Sequence, residues 1–260
     1  MSTVAPALAL GAVIGVLLGL LGGGGSILAV PALVYVLGLG FAQAIPLSLI
    51  VVGLASAVGA LPKIRHRQVQ WRLVAIFTLT GMPATVVGTT IGRHLPQNVL
   101  TVGFALIMVI AGVRMLRGGD STGTACQLTD GTIDWRRCAG RSIPVGILVG
   151  LLTGVFGVGG GFLIIPALVL LLGVEMPTAI GTSLLIITAN SAAGIVSHLG
   201  TPIDWSIAAA FAGPAILGSL LAGRWGARLD TQRLNRWFAY LVFGVASYLI
   251  ADTCLTVLVP

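Results

Sequence analysis

The sequence predicts an all-α polytopic membrane protein made of two inverted-topology repeats, each of about five hydrophobic segments. Three observations carry this. Only 8% of the 260 residues are charged, while 57% belong to the AVILMFWYC set and mean hydropathy is +1.06. The apolar residues fall into long continuous runs. The first half of the chain recurs in the second.

A soluble domain carries about 25% charged residues. Seven acids and fourteen bases cannot give a chain of this length a polar shell. That excludes a soluble enzyme, a coiled coil, a collagen and a disordered chain. A transmembrane barrel is excluded as well, because its strands alternate apolar and polar with period two. Long helices, which satisfy their own backbone in a bilayer, remain. The net charge of +7 does not point to nucleic acid, whose binders cluster bases on one solvated face. Here the bases sit in connectors between apolar runs, as in loops kept on the cytoplasmic side of a membrane. The location expected is the bacterial inner membrane.

Ten apolar segments follow in order: 5–21, 25–38, 42–61, 71–92 and 98–116, then 142–156, 160–173, 177–198, 205–223 and 233–258. Residues 1–116 form repeat 1, residues 117–141 a polar linker, and residues 142–260 repeat 2. No Lys or Arg precedes Lys63, so the first segment lacks the basic start of a secretory signal and is read as mature structure. The repeats align without gaps. Residues 11–59 shifted by 135 positions fall on 146–194 with 21 of 49 identities. GGGGSILAVPALV at 22–34 lies over GVGGGFLIIPALV at 157–169, and Pro31, Gly38, Ser48 and Ser56 meet Pro166, Gly173, Ser183 and Ser191. Trp71 and Pro83 pair with Trp205 and Pro214 after small gaps.

Segment length separates the elements. A 30 Å hydrocarbon layer needs about 20 helical residues. The third, fourth and fifth segments of each half are long enough. The second has about 14 residues, or roughly 21 Å, follows a glycine cluster and contains a proline. Short, glycine-interrupted segments at matching places in two halves point to broken or re-entrant helices near the midplane.

Positive charge sets the topology. Lys63, Arg65, Arg67 and Arg72 flank the third-to-fourth connection of repeat 1, and Arg114, Arg117, Arg136, Arg137 and Arg141 mark the linker. In repeat 2 the basic loop has moved, to Arg224, Arg228, Arg233 and Arg236. If the first two segments of each half make zero or two crossings, the second repeat is inverted. Every Arg-rich loop, the linker included, is then cytoplasmic, and both termini lie outside. Zero crossings means a re-entrant hairpin, favoured by the short second segment; two crossings means ten thin spans.

The candidate site begins at the glycine tips, with Gly23, Gly24, Gly25 and Ser26 in one half and Gly159, Gly160 and Gly161 in the other. Glycine lets a ligand approach backbone N–H groups, and each tip opens a short helix whose N-terminus carries partial positive charge. Two such ends facing each other make an anion site without a buried cation. Tight packing by small residues is the competing reading. Ser48 and Ser56, with Thr182, Ser183, Asn190 and Ser191, add neutral hydroxyl and amide groups on the third segments; interhelical hydrogen bonding is their alternative role. His198 and Asp204 flank an expected outer loop as solvated residues, and Glu175 and Asp252 lie in a connector and near a segment end. Cys126, Cys138 and Cys254 form no CxxC, and no His or acidic cluster completes a metal site. No catalytic constellation, metal or cofactor is expected.

These motifs carry a family resemblance. GVGGGFLIIPAL at 157–168, then Ala179-Ile180-Gly181-Thr182-Ser183 and Asp204-Trp205, resemble the TauE/SafE family of sulfite exporter-like permeases. GGGGSILAVPAL matches in the first half, where Pro46-Leu47 stand in place of Gly181-Thr182 and Gln70-Trp71 in place of Asp204-Trp205. The two half-sites are therefore chemically unequal. The resemblance implies secondary transport of sulfur-containing anions: sulfite, thiosulfate, sulfoacetate or other organosulfonates. A negative-inside potential favours anion efflux by about 2.3 kcal/mol per charge per 100 mV, hence export by alternating access. The alternatives are an anion channel with the same site, or a membrane-bound partner or enzyme of sulfur metabolism acting through the cysteines. The oligomeric state stays open, a homo-oligomer included.

Overall fold

A computed structural model describes residues 4–33, 37–39, 41–92, 94–117, 135–156, 161–197 and 205–226, with 232, 233, 236, 237, 239, 240 and 242–247. Among these there is no strand. The first half comprises α1 (Val4–Leu21), α2 (Gly24–Pro31), α3 (Phe41–Arg65), α4 (Trp71–Gly92) and α5 (Gln97–Arg117). The second comprises α6 (Trp135–Phe156), α7 (Gly161–Pro166), α8 (Met176–Ser197) and α9 (Trp205–Gly226). The tenth sequence segment is described only in part, and its described residues are helical. α6 starts at Trp135, inside the stretch read as linker, so Arg136, Arg137 and Arg141 stand on its first turns.

Among the described residues, four helices are long and apolar enough to cross a bilayer: Gln43–Arg65, Trp71–Gly92, Met176–Ile195 and Trp205–Arg224. Leu79 and Val86 of α4 are 74% and 65% exposed. Such an apolar face is stable only against lipid or another apolar surface. Threonines on the spans turn their hydroxyls back to their own helix, as Thr85 does to the Gly81 carbonyl at 2.8 Å, which hides a polar group without a partner helix.

Glycine decides which helices meet. In α1, Gly11, Gly15 and Gly19 abut Phe211, Ala215 and Ser219 of α9 in that order, so the two helices run the same way. In α6, Gly146, Gly150 and Gly154 abut Thr80, Gly81 and Thr85 of α4, again in parallel. A side chain at these positions would enter the neighbouring backbone, or at Gly146 the Thr80 hydroxyl; small residues at spacing four let membrane helices approach. α3 runs against α8, with Gly53 facing Ser191, Gly59 facing Leu184 and Lys63 facing Gly181. α3 runs with α9: the Ser219 hydroxyl donates to the Ala55 carbonyl at 2.8 Å, and Gly223 approaches Pro62.

These packing pairs exchange when the halves are exchanged, since α1 on α9 corresponds to α6 on α4. The short helices end alike too. Gly38 and Gly173, equivalent under the 135-residue shift, both have φ of +67°. Beside them the Leu39 N–H bonds the Leu33 carbonyl at 3.2 Å, and the Val174 N–H bonds the Leu168 carbonyl at 2.9 Å. Only glycine adopts that left-handed turn without strain.

Candidate substrate site where the short helices meet

α2 folds back on α1 at a two-residue turn. Gly22 has φ of +64°, and Gly23 caps α2 with no side-chain hydrogen bond. A Cβ on Gly25 would lie 2.6 Å from the Ile14 carbonyl oxygen and 2.8 Å from Leu18 Cγ. The predicted short second segment is therefore a helix of eight residues packed against the first. α7 is shorter still, and after Pro166 it widens into a π-helical stretch, Ala167–Leu171. There the Leu172 N–H reaches the Ala167 carbonyl at 3.3 Å. Such widened turns frequently occur at functional sites.

The two halves touch at this place. A Cβ on Gly161 would sit 2.6 Å from Ser26 Oγ and 2.7 Å from Ile187 Cδ1. A Cβ on Gly22 would sit 2.7 Å from both Ser183 Oγ and Ile165 Cδ1. Ser26, Ser48, Ser56, Thr182, Ser183 and Ser191 are all buried. Gly24 and Gly25 form the first turn of α2. Gly159 and Gly160 lie outside the described residues, as do His198, Asp204, Asp252, Cys126 and Cys254. Glu175 is exposed, and Cys138 stands on α6.

The hydroxyls are not equally available. Ser26 donates to the Gly23 carbonyl at 2.6 Å, Ser48 to Ile45 at 2.7 Å, and Ser183 to Ile180 at 2.9 Å. Their hydrogens reach a ligand only after a rotamer change. Ser56 Oγ and Asn190 Oδ1 are buried with no hydrogen-bond partner among the described residues. An unpaired buried polar atom is unfavourable by about 1–3 kcal/mol; of these two, Ser56 Oγ can donate a hydrogen bond, whereas Asn190 Oδ1 can only accept one. Thr182 stands apart from the tip: its Oγ1 accepts the Gln70 N–H at 3.1 Å, at the corner between α3 and α4. The sequence difference between the half-sites, Thr182 here and Gln70 there, is thus one contact.

One residue escaped the sequence reading. Lys63, read as a loop charge, is fully buried, and its Nζ has no partner among the described residues. Arg65, His66 and Arg67 beside it are exposed. The available signal was its place only two residues past an apolar run.

Comparison with known proteins places this architecture. The sulfite exporter TauE/SafE family model matches residues 7–249. The chain belongs to that family. A probable membrane transporter protein of Xylella fastidiosa is 38% identical over 251 residues, 92% of each chain. The probable membrane transporter protein YunE of Bacillus subtilis is 26% identical over 245 residues, 86% of this chain and 89% of that one. A probable sulfite/organosulfonate exporter TauE of Cupriavidus necator is 32% identical over 126 residues, 47% of this chain and 45% of that one. No solved structure matches significantly. The TauE/SafE chain is accordingly a multi-pass membrane transporter.

Proposed function

We propose that this TauE/SafE chain is a secondary carrier that exports small sulfur-containing anions, namely sulfite, thiosulfate, sulfoacetate or other organosulfonates. The observation that carries it is the meeting of the short helices at Ser26 and Gly161, with Ser56 Oγ buried and unpaired in the flanking α3. The anion binds at the tips: the N–H groups of Gly23, Gly24 and Gly25 and of Gly159, Gly160 and Gly161 face its oxygens. Ser26, Ser48, Ser56, Ser183, Asn190 and Ser191 complete the lining. Neutral donors hold an anion loosely enough to release it. The name carried by the Cupriavidus relative supports sulfur as the element.

Alternating access follows from inverted repeats. Helix direction supports the inversion. α1, α3 and α9 run one way, while α8 runs against α3. The Gln70–Thr182 bond sets the start of α4 beside α8, and α6 follows α4. α1, α3 and α4 thus run against their counterparts α6, α8 and α9. α1 and α3 share a direction, so the α1–α2 pair returns the chain to its starting side. Both termini then lie outside the bacterial inner membrane and the linker inside, with the repeats at 1–116 and 142–260.

Reconstitution into vesicles tests this. Sulfite or thiosulfate should show saturable efflux and counterflow. A large ohmic current without counterflow makes the chain a channel. Loss of flux on replacing the three cysteines with Ser makes it a sulfur-handling partner or enzyme.

A further inference from the structure

A lysine enclosed inside a membrane span is costly and calls for a reason. Lys63 lies in the span Gln43–Arg65 and is 0% exposed. Its Cβ is 3.0 Å from where a Cβ on Gly181 would stand, so a glycine in α8 of the opposite repeat makes room for it. The chain then turns back over it: the Gln68 N–H bonds the Lys63 carbonyl at 2.9 Å, and the Gln68 backbone also covers Gly181. Gln68 Oε1 is buried and unpartnered like Lys63 Nζ. Thr182 Oγ1 accepts the Gln70 N–H, a bond that leaves its own hydrogen unused.

We propose that Lys63 and Thr182 form a second anion site at the α3–α4 corner, where a small oxyanion is held on its way to or from the glycine tips. This deepens the reading of the chain as an anion carrier and rests on it. The corner offers an ammonium and a hydroxyl as donors, while the unpartnered Gln68 Oε1 is an acceptor and takes no part in holding the anion. The tips offer neutral donors only. A charged stop beside an uncharged one gives the anion two places of different affinity along one path. The other repeat lacks this site: Pro46-Leu47 replace Gly181-Thr182, and under the 135-residue shift His198 stands where Lys63 does. The second stop is therefore at one end of the carrier only.

Titration calorimetry on the purified full chain tests this with sulfite, thiosulfate, phosphate and chloride. Lys63→Met should weaken anion binding about tenfold or more, the usual effect of losing a charge-assisted hydrogen bond. Lys63→Arg should stay within about threefold of the original. If both Lys63 variants fail to fold, Thr182→Val decides: weaker binding supports the site, unchanged binding overturns it. Unchanged binding in Lys63→Met overturns the second site and leaves the sulfur reading standing. Lys63-dependent binding of phosphate or chloride, with none of the sulfur anions, keeps the site and removes sulfur. No binding of any anion overturns both.

Discussion

Ser26 and Gly161 occupy the same position in the two repeats, and they touch. Under the 135-residue shift one falls on the other, and a Cβ on Gly161 would lie 2.6 Å from Ser26 Oγ. Equivalent residues meet only on the axis that relates the repeats. The pair therefore lies where the two halves of the chain meet. It also explains why one repeat has serine and the other glycine: two serines would collide.

Gly161→Ser should accordingly destabilise the protein by about 1–3 kcal/mol, the usual effect of overpacking. The swap Ser26→Gly with Gly161→Ser restores one small and one larger residue. It should recover part of the loss, with a coupling of about 1 kcal/mol in a double-mutant cycle. Thermal or denaturant unfolding in detergent measures both. Additive losses would separate the two residues.

Glycines of one helix class should respond oppositely to alanine. A Cβ on Gly15 would meet Ala215 Cα at 2.6 Å, which is backbone and cannot step aside. A Cβ on Gly213, inside α9, meets nothing within 4 Å. Gly15→Ala should cost about 3 kcal/mol by forcing α1 off α9. Gly213→Ala should gain about 0.5–1 kcal/mol from helix propensity alone. Unfolding midpoints moving the same way in both would contradict the packing of α1 on α9.

Ser219→Ala isolates a structural hydrogen bond. Its fully buried hydroxyl ties α9 to the Ala55 carbonyl of α3 at 2.8 Å. Hydrogen bonds between membrane helices are worth about 1 kcal/mol. The variant should lose about that much stability and keep its anion affinity. A change in affinity would mean that the α3–α9 contact shapes the site.

The spans were legible because hydropathy alone locates helices in a bilayer: α4 matches the expected segment 71–92 residue for residue. The short second helices were legible from the doubled Gly-and-Pro pattern. Hydropathy could not find the start of α6, where Trp135–Arg141 is helical but polar and extends the helix beyond its apolar run. The spacing of Gly11, Gly15 and Gly19, repeated at Gly146, Gly150 and Gly154, was a packing signal in plain view, but partner choice is tertiary. Lys63 was misread for the same reason. Its burial comes from Gly181, more than a hundred residues away. Residue type named the hydroxyls of Ser26, Ser48 and Ser183 as donors. Which carbonyl takes each hydrogen is set by the helix they stand on.

Ser56→Ala separates a ligand from a packing residue. Ser56 is fully buried and its Oγ is unpartnered among the described residues. Removing an unsatisfied hydroxyl of nearly the same volume relieves a penalty rather than breaking a bond. The melting temperature should therefore hold or rise. If Ser56 contacts the transported anion, affinity should fall by about 1 kcal/mol, roughly fivefold. Stability retained with affinity lost is the signature of a binding residue, whereas a structural serine loses stability first. Unchanged affinity in calorimetry would remove Ser56 from the site.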